Sequence, residues 1–196
     1  MTQTERLYYY LDKINSDPIL KEEIYENCDA ELLPPEMLEE QLSWLLEGGC
    51  KQDYSLVPFA NDGSGGVYVI VDDQHVAYID SEGGAGYIAE TIDDFMNILL
   101  TFRFIFFSIE SLESFEQFMK DYEADSYEKK SSEILNKFQK EENMDMEYET
   151  VYKKLVKGLL LEPVFEIDPI DDEYCKSENL LGIDDEEFYA LCRKHK

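Results

Sequence analysis

The stretch Asn61-Asp62-Gly63-Ser64-Gly65-Gly66-Val67-Tyr68-Val69-Ile70-Val71-Asp72-Asp73-Gln74-His75-Val76-Ala77-Tyr78-Ile79-Asp80 decides the fold. In an extended chain Val67, Val69 and Val71 lie on one side, and Tyr68 and Ile70 on the other. Both sides are apolar, so the strand over 67–71 is expected to be internal and covered on both faces. Asn61 to Gly66 and Asp72-Asp73-Gln74 carry turn chemistry at its two ends. Leu56 to Ala60 and Val76 to Asp80 are further short runs rich in β-branched and aromatic residues. Residues 54–80 therefore predict an antiparallel meander. Gly63, Gly65 and Gly66 are expected to serve its first turn, at least one of them with positive φ.

Outward from this sheet the period becomes helical. Leu7, Leu11 and Ile14 mark one helical face. A break at Asn15-Ser16-Asp17-Pro18 precedes a second short helix through Ile24. Pro34-Pro35 opens a helix with Leu38, Leu42, Leu45 and Leu46 inward and Trp44 read as core or else as an interface anchor, and Gly48-Gly49 ends it. On the other side, Gly83-Gly84-Ala85-Gly86 is read as leaving the sheet. Thr91 to Asp94 looks like a capping box for a helix burying Phe95, Ile98, Leu99 and Phe102. Helices are then expected over roughly 111–123, 126–141 and 145–158, with Asp125 and Glu128 marking one start and Gly158 a stop. Residues 159–169 read as strand-like or irregular, and Asp184 to Glu187 caps a last helix carrying Phe188 and Leu191. No internal repeat is evident. The fold class is α+β: an antiparallel meander packed with helices, with a mostly helical C-terminal half. Its organisation is expected to be an α+β core over 1–105 and a mainly helical extension over 106–196 packed on the same domain.

The chain of 196 residues is 44% hydrophobic, with 14 Tyr and 11 Phe, enough for a substantial core despite its charge. No apolar run approaches the roughly 20 residues of a membrane span. Ile98 to Ile109 comes nearest, but Arg103 interrupts it, so Phe102, Phe104, Phe106 and Phe107 read as core. The N-terminus has no basic region followed by an apolar one, and Cys28, Cys50, Cys175 and Cys192 form no C-x-x-C pair. Both features point to a cytoplasmic protein with reduced thiols. The net charge is -28; residues 1–90 hold 19 acidic and 4 basic groups, and residues 91–196 hold 26 and 13. Such a field repels nucleic acid and anionic membrane, and attracts cationic surfaces.

No catalytic pattern emerges. A phosphate-binding loop needs Lys and Ser or Thr entering a helix, whereas Asp62-Gly63-Ser64-Gly65-Gly66 enters a strand. Gly83 to Gly86 has the wrong spacing for a dinucleotide fingerprint. His75 beside Asp72-Asp73, and Cys192 with His195, fall short of a metal-ligand set. Neither a nucleophile elbow nor a distinctive carboxylate pair is present. The aromatics are not interleaved with Lys or Arg, which argues against single-stranded nucleic acid. The reading is therefore a binding protein rather than an enzyme, with no cofactor and no metal; the charge suits a cationic protein partner but does not by itself choose one, since it also serves solubility. Asp62, Asp72, Asp73, Asp80 and Glu82, in turns or at strand ends, are the candidate partner-binding carboxylates.

Residues 30–100 also carry a resemblance. Leu33-Pro34-Pro35 opens a helix, and Phe59-Ala60-Asn61-Asp62-Gly63-Ser64-Gly65-Gly66-Val67-Tyr68 turns into a strand. Val76-Ala77-Tyr78-Ile79-Asp80 follows, and then a helix begun by Thr91 with Phe95. This order of features resembles the SUKH superfamily, which includes a fungal cell-wall-assembly regulator and many bacterial immunity proteins. The resemblance implies an α+β fold with helices against one antiparallel sheet and a non-enzymatic role. It implies most directly an immunity protein that binds a cognate toxin, often one that attacks nucleic acid and is basic at its active surface. The alternatives are a regulatory scaffold of the fungal kind and an enzyme of unrecognised type.

Overall fold

Strand β3 (Val67–Val71) is buried at all five positions. The computed structural model describes residues 1–47, 53–103, 112, 114–125, 132–167 and 178–195. Around β3 the sheet runs in sequence order: β1 (Ala30–Leu32), β2 (Leu56–Asp62), β3, β4 (His75–Ile79), β5 (Gly84–Ala89) and a two-residue β6 (Glu178–Asn179). β1 to β5 are antiparallel neighbours, and β6 lies parallel to β5. The class is α+β, and the meander expected over 54–80 is present with 67–71 internal.

The two faces of β3 feed two cores. Tyr68 and Ile70 join Phe59, Val76 and Ile88 in a large cluster under α1 (Gln3–Ser16), α2 (Pro18–Cys28), α4 (Ile92–Phe102), α6 (Glu133–Glu141) and α7 (Tyr148–Leu159). Phe95 of α4 is fully buried, edge-on to Phe59, with ring centroids 5.1 Å from both Phe59 and Tyr68. Val67, Val69 and Val71 form a smaller cluster with Ala77, Ile79 and Tyr87. It is covered by α3 (Glu39–Leu45) and by Phe165 and Ile167.

Helix α4 is buried on nearly every side, more than its expected single stripe. Its polar side chains are satisfied within the protein. Asn97 donates to the Asp145 carbonyl (2.7 Å) and accepts from Lys154 (3.0 Å), while Thr101 accepts from Gln139 (3.0 Å). Among the described residues no buried side-chain polar atom lacks a partner, as burial in a low-dielectric interior requires. Helix α1 braces the start of α4. Arg6 and the Tyr10 hydroxyl both donate to Asp93 at 2.6 Å, and Gln3 accepts the Ile92 N–H.

Three expectations are corrected. The glycine run at 83–86 does not leave the sheet: Gly83 (φ 98°) makes the turn, and Gly84 to Ala89 form β5. Gly86 pairs with Tyr78, and a Cβ there would lie 3.0 Å from Leu180, so glycine serves close packing inside a strand. Trp44 is not core. A 3₁₀ turn (Pro35–Met37) and the short α3 turn Leu38, Leu42 and Leu45 inward, Leu46 packs partly buried beside them, and Trp44 is exposed. Asp125 lies inside α5 (Phe115–Asp125), and α6 is capped instead by Ser132, whose Oγ accepts the Leu135 N–H. Beyond α7 the chain is irregular to residue 167 apart from a single bridge at Ile167, within the strand-like or irregular reading of this stretch. The expectations for Gly48-Gly49, Cys50, Phe104 to Ile109, Glu128 and Cys175 lie outside the described residues.

Gly158 does more than mark a stop. It is buried where α7 crosses β5, and a Cβ there would sit 2.3 Å from the Ile88 carbonyl oxygen and 2.6 Å from Ala89 Cα. Those are backbone atoms, which cannot rotate aside. Gly158→Ala should therefore lower stability by about 1–3 kcal/mol, although alanine ordinarily favours a helix by about 1 kcal/mol. Urea unfolding midpoints check this, and a more stable Gly158→Ala protein would contradict the close crossing.

Candidate partner-binding surface

Two alternate hairpin turns, β2–β3 and β4–β5, share one end of the sheet and are built alike. In Asp62-Gly63-Ser64-Gly65-Gly66, Asp62 Oδ1 accepts the N–H groups of Ser64 (3.0 Å) and Gly66 (2.9 Å) and the Ser64 hydroxyl. In Asp80-Ser81-Glu82-Gly83-Gly84, Asp80 Oδ1 accepts those of Glu82 (2.8 Å) and Gly84 (2.7 Å). Gly65 (φ 94°) and Gly83 (φ 98°) stand three residues after each aspartate, in a region L side chains rarely adopt. The carboxylate thus replaces backbone acceptors that a tight turn cannot supply.

The Asp62 turn is tied further into the fold. The Tyr78 hydroxyl donates to Asp62 Oδ2, and Gln41 of α3 donates to the Gly65 carbonyl at 2.9 Å. Asp29, in a left-handed conformation after α2 (φ 48°), brings its carboxyl toward Gly63 and Asp62. Burial pushes the Asp62 carboxyl up, but the hydrogen bonds from Tyr78, Ser64 and Gly66 outweigh it and hold Asp62 below the usual carboxylate range. Asp29 moves the other way: partial burial and then the charge of Asp62 push it up.

Asp72 and Asp73 lie at the opposite end of the sheet, in the β3–β4 turn. Both have positive φ (53° and 54°), as the central residues of a type I′ turn require. Asp72 accepts the Ser55 N–H at 2.8 Å. Asp73 accepts the N–H and hydroxyl of Thr4, each at 2.7 Å, in the first turn of α1, where a helix leaves N–H groups unpartnered. These bonds hold Asp73 below its ordinary range.

The five sequence-derived carboxylates therefore do not form one patch. Asp62, Asp80 and Glu82 share one end, and Asp72 and Asp73 occupy the other. The four aspartates each accept backbone N–H groups within the chain, and Glu82 is exposed. Sequence reading missed Asp29, Gln41 and Tyr78 as parts of this end. A signal was available: Asp-x-x-Gly-Gly occurs at 62–66 and again at 80–84. His75 is held by the Glu90 carbonyl (3.0 Å) and lies edge-on to Tyr87. Among the described residues no group of three His, Cys, Asp or Glu is placed to hold a metal ion, and no helix is long and apolar enough to cross a membrane.

In comparisons with protein-family models, with curated proteins and with solved structures, nothing matches this chain significantly.

The two neighbouring carboxylates should respond oppositely to substitution. A depressed carboxyl contributes stability that is present above its unfolded value and lost as pH falls through the folded one. Asp62→Asn should lower stability by about 1.5–3 kcal/mol at neutral pH and flatten the loss on acidification. For Asp29 the sign is reversed: its raised carboxyl opposes folding at neutral pH, and that opposition fades as acid protonates it. Asp29→Asn should therefore raise the urea midpoint at neutral pH, helped by the tolerance of Asn for left-handed backbone. Unfolding midpoints measured from about pH 3 to pH 8 check both.

Proposed function

We propose that this chain is a non-enzymatic acidic binding protein. In this reading it is a cytoplasmic immunity protein that neutralises a basic, nucleic-acid-targeting toxin by covering its active surface. The observation that carries the reading is charge. The net of -28 is spread over both halves of the sequence. Many of the few cations are already engaged: Arg6, Lys13, Lys21, Lys137, Lys153, Lys154 and Lys157 each pair with a carboxylate of the same chain. What remains for a partner is a surplus of exposed acid groups, which attract a cationic groove and repel the nucleic acid that groove would otherwise hold.

The SUKH-like order of features supports the same assignment. The Pro34-Pro35 segment leads into α3, the Asp62 turn leads into β3, and β4 closes on Asp80. A helix capped by Thr91, which accepts the Asp94 N–H at 3.0 Å, places Phe95 in the core.

Long-range attraction and short-range packing should separate in kinetics. The Debye length falls from about 10 Å at 0.1 M salt to about 3 Å at 1 M. Association with a basic nuclease toxin domain should slow by tenfold or more over that range, while dissociation changes far less. Surface-immobilised kinetics at several salt concentrations measure both. A preference for DNA or RNA over every basic domain tested would overturn the reading.

A further inference from the structure

The segment from the 3₁₀ turn through α3 has an inner and an outer face with opposite characters. Leu38, Leu42 and Leu45, spaced i, i+4, i+7, are 1%, 8% and 3% exposed. Met37, at the end of the 3₁₀ turn, and Trp44, in α3, are 64% and 57% exposed. Glu36, Glu39, Glu40 and Glu47 are exposed around them. Trp44 is the single tryptophan of the chain.

The charge around these two anchors is one-signed. From residue 33 to residue 47 the segment itself has four acidic residues and no Lys or Arg. The segment is also held in place. The Leu33 N–H donates to the Phe59 carbonyl (2.9 Å), and Gln41 reaches the Gly65 carbonyl of the Asp62 turn. Little ordering is then required when a partner arrives, and α3 adjoins the sheet end that carries Asp62, Asp80 and Glu82.

We propose that this outer face of the 3₁₀ turn and α3 is the surface that seats the cationic protein partner, with Trp44 and Met37 as its apolar anchors and the glutamates as its rim. The inference rests on the binding reading above and names its surface. Charge complementarity selects the occupant. A second copy would bring another net -28 against the same glutamates, and an anionic bilayer or a nucleic acid would be repelled likewise. A basic protein surface with an apolar notch satisfies both components: its cations meet the rim, and its notch desolvates an indole of the kind that dominates interface energetics.

Because Trp44 is the only tryptophan, its emission reads this surface directly. The full-length chain would be titrated with catalytically inactivated basic nuclease toxin domains that lack tryptophan. The other arms are a DNA duplex, phosphatidylserine vesicles and the chain's own increasing concentration. The expected result is that a domain that binds shifts Trp44 emission to the blue and protects it from acrylamide. Trp44→Ala should weaken that complex about 30-fold, mainly through faster dissociation. Glu36→Gln/Glu39→Gln/Glu40→Gln should slow association several-fold at low salt and little at high salt. Trp44→Phe should recover part of the loss, and unchanged thermal unfolding of the variants keeps a folding defect from imitating it. A domain that binds with Trp44 still quenchable and Trp44→Ala neutral overturns the surface while leaving the binding reading intact. Binding to DNA with silence toward all basic domains, or silence in every arm, overturns both. Protection of Trp44 by vesicles or by self-association overturns the choice of occupant.

Discussion

The structure depends on a strand that must be covered twice. With all five residues of β3 buried, neither face of the sheet can be left to water, and one helical layer cannot serve both. The chain meets this unevenly. One face receives a thick layer in which α4 is itself enclosed by α1, α2, α6 and α7; the other receives only short α3 and the Phe165–Ile167 stretch. The thick side must approach closely, and it does so at Gly158, where a helix backbone lies directly on that of β5. The thin side leaves its covering helix with an outer face that nothing in the described fold requires to be polar or apolar.

The same architecture explains how a chain so acidic closes its turns. Repulsion among its carboxylates opposes compaction, and the repulsion is offset wherever a carboxylate finds a donor. Asp62, Asp80, Asp72, Asp73 and Asp17 all accept backbone N–H groups at turns or helix starts, which have unmatched N–H groups in any fold. Glu142 shows a second solution. Burial pushes its carboxyl up, but Lys13, Tyr9 and Arg6 together bring it below the ordinary range while tying the end of α6 to α1. Acid residues used this way are structural, and their abundance in the sequence overstates how many are available to a partner.

That distinction marks what was legible. The alternation at 67–71 and the turn residues beside it prescribe the meander, because a period of two needs no tertiary information. The helical stripes at Leu7, Leu11 and Ile14 and at Leu38, Leu42 and Leu45 likewise point inward as read. For Trp44 position outweighs hydrophobicity: a residue two after Leu42 and one before Leu45 lies off their stripe whatever its side chain. β5 was missed because its glycines look like a breaker, and only the partners Tyr78 and Leu180 give them a reason to sit in a strand. The candidate carboxylates divide between the two sheet ends, a division that appears only when the strands of the meander are counted. Alternate turns share an end, so Asp62 and Asp80 belong together and Asp72 and Asp73 do not.

Surface charge and an exposed indole have different physical ranges, and this difference gives their juxtaposition meaning. Carboxylates at a rim act over about a Debye length and select by sign, but a solvated ion pair contributes little once formed, about 0–1 kcal/mol. An indole acts only at contact and only if it is desolvated, where it can contribute several-fold more. A chain with charge alone would bind every basic protein weakly; one with exposed apolar groups alone would associate with itself. Glutamates around Trp44 and Met37 suppress the second outcome through repulsion between copies, and the two anchors narrow the first to partners whose basic surface has a matching apolar recess. The leucines beneath them keep the presenting helix fixed to the sheet, so that specificity on the outside is supported by the same residues that complete the core.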